Sequence, residues 1–220
     1  TTQAITAQDY DRSSLPIPNP QTPPIREMDA RKATKPAPFE VTAPEGAPNV
    51  VVVLIDDIGF GATAPFGGAI ETPTFERLAQ NGLRFNRFHT TALCSPTRAA
   101  LLSGRNHHNV NVGSVMEIAT GFPGNLGMRP NDAKYFAETL RYNGYSTAAF
   151  GKWHNGMQPP YHPNARGFDD FYGYCSGHWG SYMDAILENN GEIIQTKGYL
   201  TDVLTENTID FMIKYADKPF

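Results

Sequence analysis

A cysteine and an arginine stand four residues apart in the segment Cys94-Ser95-Pro96-Thr97-Arg98. Ser95 predicts a helix N-cap, because its hydroxyl can accept from the free N–H groups of a first turn, and Pro96 suits the first helical position. Helix-start N–H groups, the positive end of the helix dipole and a guanidinium together bind anions. We therefore expect a helix over 97–103 with Cys94 just outside it, beside a site for a tetrahedral oxyanion. An ordinary buried thiol beside a capped helix is the alternative.

A pair of aspartates, Asp56 and Asp57, directly follows an aliphatic run over 49–55 that is typical of a parallel strand covered on both faces. In open α/β sheets the functional crevice lies beyond the carboxyl ends of the strands. Adjacent strand residues point to opposite faces, so both carboxylates reach one ion only if the chain turns, which Gly59 and Gly61 make easy. Two converging carboxylates favour Ca²⁺ or Mg²⁺. A solvated Asp- and Gly-rich turn is the alternative.

The tetrapeptide Gly151-Lys152-Trp153-His154 follows a predicted strand over 145–150. Lys152 and His154 share a face if the segment stays extended. A lysine supplies a mobile point charge for an anionic group, and a histidine can carry a proton near neutral pH. A surface lysine beside a core histidine is the alternative.

The second cysteine, Cys175, is predicted to be a small buried residue. A Cys94–Cys175 disulfide is the alternative, although it would occupy the residue best placed for chemistry. The loop around Ser176 and His178 is predicted to be a packed loop, with a border of a substrate pocket as the second interpretation.

Strands and helices that alternate along the chain would position these residues. We predict strands over 49–55, 83–88 and 145–150, and helices over 74–82, 133–143 and 200–215. Such alternation indicates an α/β layered fold with a mainly parallel sheet.

Composition limits the class of protein. A chain of 220 residues with 40% hydrophobic and 18% charged residues is globular, with one domain or at most two. A net charge of −4 without a Lys/Arg-rich run argues against nucleic acid as a partner. The longest aliphatic run, 50–55, is far shorter than the roughly 20 residues that span a bilayer, so we predict no membrane span.

The N-terminal region differs from the rest, because half of the 18 prolines precede Asn49. Such density is incompatible with regular helix or central strand. We predict an extended arm over 1–47, with a disordered linker as the alternative. Residues 48–220 would form the N-terminal part of a catalytic domain that is incomplete at its C-terminus.

Three motifs in this order, Asp56-Asp57, then Cys94-x-Pro96-x-Arg98, then Gly151-Lys152-Trp153-His154, resemble those of the formylglycine-dependent (type I) sulfatase family. The Pro-rich arm looks like that of large bacterial arylsulfatases. The resemblance implies an alkaline-phosphatase-like α/β sandwich that hydrolyses sulfate esters. It also implies a maturation enzyme that converts Cys94 to formylglycine.

The resemblance further implies a role for each matching residue. Asp56, Asp57 and residue 94 would ligate Ca²⁺, or alternatively Mg²⁺. The formylglycine hydrate at position 94 would be the nucleophile, and Arg98 would hold it. Lys152 would bind the sulfate oxygens and His154 would assist proton transfer.

One part of the family pattern has no match, namely a later Asp-Asn pair with a further histidine and lysine. We therefore expect these groups on a C-terminal part of the protein, or alternatively on a companion fragment. We expect the isolated 220-residue chain to bind metal poorly and to be inactive. Two alternatives to a sulfatase remain. One is a phosphonate or phosphate monoester hydrolase of the same superfamily, and the other is a non-catalytic protein that binds sulfated ligands.

A periplasmic or secreted location would suit a sulfate scavenger, whereas a cytoplasmic enzyme would have the same sequence features.

Overall fold

A computed structural model describes residues 11–21, 24–35, 39–130 and 132–220. The helices are α1 (Pro73–Asn81), α2 (Cys94–Ser103), α3 (Phe136–Tyr142) and α4 (Leu200–Lys214). The strands are β1 (Ala148–Lys152), β2 (Asp170–Tyr174), β3 (Ile186–Asn189) and β4 (Glu192–Gln195). Short 3₁₀ helices occupy Ala64–Phe66, His107–Val110, Met116–Ile118 and Pro163–Arg166.

The four strands form one sheet in the order β1-β2-β3-β4. Strands β1 and β2 are parallel, with Lys152 opposite Tyr174, while β2–β3 and β3–β4 are antiparallel. Asn190 and Gly191 join β3 to β4, both with positive φ (50° and 93°), as a tight hairpin turn requires. The prediction of a mainly parallel sheet is therefore wrong for the described residues, because only the β1–β2 connection is a crossover. The α/β class is confirmed.

The core lies where α2 and α3 meet the first two strands. Tyr135, Trp153, Phe168 and Phe171 pack there with Leu102 of α2. Helix α4 packs on β1 and β2 from another side. The strand end that carries Lys152 is therefore held between buried aromatic residues and α2.

Two predicted strands do not form. The segment over 49–55 runs without a strand ladder, and its side chains are exposed, up to 73% at Val53. Its Val50 N–H donates to the Phe220 carbonyl. The segment over 83–88 is likewise exposed and irregular. An apolar run becomes a strand only beside a partner strand, and none lies against either segment among the described residues.

Helix predictions were closer to the structure. The predicted helices over 74–82 and 200–215 correspond to α1 and α4 within one residue at each end. Helix α3 starts at Phe136 rather than at position 133, because the buried Ala133 and Tyr135 lie in the irregular segment before it. Strand β1 is shifted to Ala148–Lys152 from the predicted 145–150.

The described parts of the predicted arm contain no helix or strand. Arg12 donates to the Asn143 side chain at 2.8 Å and to the Thr42 carbonyl at 2.6 Å, and Ile17 is buried. Residues 1–10, 22–23 and 36–38 lie outside the described residues. The division at position 47/48 stays a prediction.

Within the described residues, no helix has the length and apolarity that crossing a membrane requires.

Candidate functional site

Helix α2 begins at Cys94 itself, with Leu93 at the N-cap position. The predictions that Ser95 caps the helix and that Cys94 lies outside it are therefore wrong. Thr91 orders this helix start instead, since its hydroxyl lies 2.6 Å from that of Thr97 and also donates to the Leu93 carbonyl. Cys94 is partly exposed with a free thiol, and it lies one turn before Arg98 on the same helix side.

Arg98 joins the three sequence motifs. It is 9% exposed. Its Nη1 donates to the Lys152 carbonyl at 2.5 Å, and its Nη2 donates to Asp56 Oδ1 at 3.3 Å. The first turn of α2, the end of β1 and the segment after 49–55 thus meet at one guanidinium.

Lys152 completes this cluster. Its Nζ lies 2.6 Å from Asp56 Oδ2, and its side chain is only 8% exposed. Partial burial acts to raise the pKa of Asp56, but the hydrogen bond from Lys152 and the attraction of Arg98 and Lys152 outweigh it and lower that pKa. Asp56 is therefore ionised between two cations.

Asp57 lies at the turn that the sequence required. Its φ of 56° is left-handed and its side chain is exposed. The chain therefore bends immediately after Asp56, and the two carboxylates need not point to opposite faces of an extended strand.

His154 lies in a second group of contacts beside the first. Its φ is 55°, so the segment does not stay extended through this residue. The imidazole is 4% exposed, and its Nε2 lies 2.9 Å from both carboxylate oxygens of Glu117. Lys152 contacts Asp56, whereas His154 contacts Glu117. The two side chains, which were predicted to share a face, therefore bind different partners.

Glu117 is a residue that the sequence analysis missed. It belongs to the 3₁₀ helix Met116–Ile118, between the second and third motifs. A single glutamate in a loop carries no spacing signal, and only tertiary structure brings it to His154.

A separate cluster of metal-ligating residue types involves His162, Cys175 and Glu188, whose donor atoms lie within 4.8 Å of one another. His162 Nε2 lies 2.5 Å from Glu188 Oε1, and the Asn164 N–H donates to His162 Nδ1. Nδ1 is thus the acceptor, and in the neutral ring Nε2 donates to Glu188. The cluster is a hydrogen-bonded network.

Cys175 is buried and free, so the alternative disulfide with Cys94 is not formed. Burial and the nearby Glu188 carboxylate raise the pKa of the Cys175 thiol to about 12. The prediction of a small buried residue is confirmed.

The aspartate pair fits the donor chemistry of a hard cation. Asp56 and Asp57 supply carboxylate oxygens at a bend of the chain, and such oxygens are the ligands that Ca²⁺ and Mg²⁺ prefer. Ca²⁺ takes roughly six to eight oxygens, so these two residues alone would supply only part of a ligand set.

The sulfatase family profile matches residues 48–220. The chain belongs to the sulfatase family. An arylsulfatase of Klebsiella aerogenes is 32% identical over 156 residues, which are 70% of this chain and 34% of that protein. Human N-acetylgalactosamine-6-sulfatase is 37% identical over 154 residues, which are 64% of this chain and 28% of that protein.

Solved sulfatase structures agree with this assignment. One, in complex with its substrate D-glucosamine-2-N,6-O-disulfate, superposes with a TM-score of 0.65 and 32% identity over 79% of this chain and 33% of that one. The chain thus spans about a third of the length of these relatives. It has part of an α/β sulfatase fold.

Proposed function

We propose that the full-length protein hydrolyses sulfate esters, aryl sulfates among them, with a formylglycine hydrate made from Cys94. The observation that carries this proposal is the position of Arg98, which contacts Asp56 and the Lys152 carbonyl from one turn beyond Cys94. A helix start with an adjacent guanidinium and ammonium is suited to a tetrahedral dianion.

The hydrate of formylglycine would supply a geminal diol, in which one hydroxyl would serve as nucleophile and the other would allow release of sulfate by elimination. Arg98 orients the group at position 94 and offsets negative charge. Lys152, held near Asp56, is positioned to bind the sulfate oxygens. His154 accepts a proton from position 94 at a ring nitrogen, because it is buried beside a carboxylate that balances the charge it gains.

Asp56, Asp57 and residue 94 would hold Ca²⁺, with Mg²⁺ as the alternative. When bound, the cation would supply Lewis-acid polarisation of the sulfate group and a template for its orientation. The remaining ligands would come from a C-terminal part of the protein, consistent with the share of its relatives that this chain spans. That part would also complete an alkaline-phosphatase-like sandwich.

The test compares turnover of an aryl sulfate and an aryl phosphonate by the full-length protein, produced together with a formylglycine-generating enzyme. We expect the sulfate to be preferred, and Cys94→Ala to abolish turnover while Cys175→Ala, the matched cysteine control, retains it. A preference for the phosphonate would favour the phosphonate or phosphate monoester hydrolase. Binding of the sulfate ester without product release would favour the non-catalytic alternative.

A further inference from the structure

We propose that Glu117 is a positioning residue, which holds His154 as the tautomer with a protonated Nε2 and leaves Nδ1 as the proton acceptor for position 94. This inference rests on the proposed function, since it assigns the atom through which His154 acts. Glu117 lies outside the three motifs that carry the family resemblance.

The tautomer follows from the contact between the two side chains. Both Oε1 and Oε2 of Glu117 lie 2.9 Å from His154 Nε2. An ionised carboxylate can only accept hydrogen bonds, so the nitrogen that faces it must carry a hydrogen. In the neutral imidazole, the lone pair is then on Nδ1.

The ionisation of Glu117 supports this assignment. Partial burial acts to raise the pKa of Glu117, but hydrogen bonds from His154 and from its own backbone N–H, together with attraction to His154 and His178, lower it. Glu117 is therefore a carboxylate at neutral pH.

Nδ1 of His154 is the atom left available. It is buried and has no hydrogen-bond partner among the described residues. A buried polar atom without a partner is costly, and in a native structure it calls for an explanation, such as a catalytic role or a bound group. The hydroxyl groups that conversion of Cys94 would create are the partner that we assign.

The surrounding chain fixes the plane of the imidazole. The backbone N–H of His154 donates to the Cys175 carbonyl at 3.2 Å. A Cβ at Gly177 would lie 2.5 Å from both Cε1 and Nε2 of His154, so the backbone of that loop packs directly on the ring. Glu117 therefore needs only to select the tautomer of a ring that is already oriented.

The assigned step is a single proton transfer. The O–H bond of a hydroxyl at position 94 breaks, its electron pair stays on oxygen, and an Nδ1–H bond forms. The resulting imidazolium is balanced by the Glu117 carboxylate on its other side. Release of the proton from Nδ1 to water restores the starting state.

The experiment compares Glu117→Gln and Glu117→Asp with Glu206→Gln in the full-length, converted protein. A glutamine donates as well as accepts, so it permits both tautomers. We expect kcat to fall about 10- to 100-fold in Glu117→Gln with little change in KM, the size of loss found for carboxylates that orient metal-bound histidines. Glu117→Asp, which keeps the carboxylate, should recover part of that loss. Glu206 is exposed on α4, and its variant should match the wild type.

A second measurement reads the tautomer directly, from the ¹⁵N chemical shifts of the His154 ring, assigned by their loss in His154→Gln. We expect a protonated Nε2 and an unprotonated Nδ1 in the wild type, and a mixture in Glu117→Gln. The same distribution of tautomers in the wild type and in Glu117→Gln would overturn the inference, and so would a kcat that Glu117→Gln leaves unchanged. Lack of turnover by the wild type would contradict the proposed function, while the ring shifts would still decide the role of Glu117.

Discussion

Arg98 is the residue on which the site depends, because its fork of N–H donors binds two partners at once. Nη1 contacts the Lys152 carbonyl and Nη2 contacts Asp56, so the side chain links the start of α2 to the end of β1. Lysine would retain the charge but has only one nitrogen, and it could not reproduce both directions.

We predict that Arg98→Ala lowers the free energy of unfolding by about 2 kcal/mol, the loss typical of a hydrogen bond to a charged group. Activity of the full-length protein should fall about 100-fold, and Arg98→Lys should restore little of it. Urea unfolding and steady-state kinetics measure the two effects. Arg105→Ala, on an exposed arginine just beyond α2, is the control and should change neither.

Cys175 provides a prediction of reactivity. Because its thiol is buried with a pKa of about 12, little of it is thiolate at pH 8, and alkylation by iodoacetamide should be slow. Unconverted Cys94, which is partly exposed, should react first, as measured by mass spectrometry of the two peptides. Equal rates at the two cysteines would contradict the buried network around Glu188.

The same thiol affects stability at alkaline pH. The native state keeps the Cys175 proton up to about pH 12, whereas an ordinary thiol loses it near pH 9.0. The unfolded state therefore binds fewer protons between these values, and stability falls as pH rises through them. Cys175→Ala should reduce this loss, as measured by urea unfolding at pH 8 and pH 10.5.

At the scale of the elements, the close approach of β1 and β2 positions Lys152. Gly151 and Gly173 lie opposite each other in the parallel ladder, and a Cβ at Gly173 would lie 2.0 Å from the Gly151 carbonyl oxygen. The absence of a side chain at Gly173 therefore lets the two backbones meet directly before the residue that binds Asp56, while Gly151 adopts a positive φ of 96°.

We predict that Gly173→Ala destabilises the protein by about 1–3 kcal/mol, because a methyl group must push the strands apart. The same change should raise KM for the sulfate ester, since Lys152 follows Gly151. Gly180→Ala, in open space on the following loop, is the matched control and should stay within about 0.5 kcal/mol of the wild type. Equal stability of the two variants would show that β1 and β2 separate without cost.

Elements that depend on local sequence were predictable. Helices α1 and α4 are predicted from apolar periodicity and terminal residues that act within a few positions along the chain. The conformation of the segment over 49–55 was not predictable in this way, because an aliphatic run becomes a strand only beside a partner strand, and the sequence pattern does not identify that partner. Ser95 was misplaced for a related reason, since a threonine three residues before Cys94 orders the helix start.

The candidate site shows the same difference between features set by local sequence and features set by long-range contacts. Residue type and spacing identified Asp56, Arg98 and Lys152, and the structure brings these three into direct contact. Neither the pairing of His154 with Glu117 nor the left-handed backbone of His154 could be read from motifs. The first depends on a contact between residues more than 20 positions apart, and the second depends on a single backbone angle.

At the scale of the whole molecule, the aspartate pair predicts a response to metal. Asp57 is exposed, so Asp57→Asn should change the stability of the metal-free full-length protein by no more than about 0.5 kcal/mol. Calcium at 100 times its Kd should stabilise the wild type by about 2.7 kcal/mol and should stabilise Asp57→Asn much less. Thermal unfolding with EGTA and with Ca²⁺ measures this, with the exposed Asp217→Asn as the control. The same Ca²⁺ response in Asp57→Asn and the wild type would remove Asp57 from the ligand set.

The most direct test of the account is the mass of the proteolytic peptide that contains residue 94, from the full-length protein produced with its maturation enzyme. We predict that the peptide carries an aldehyde in place of the thiol and reacts with a hydrazide probe, while the Cys175 peptide keeps its thiol. An unmodified thiol at position 94 in protein from its native source would contradict the formylglycine mechanism.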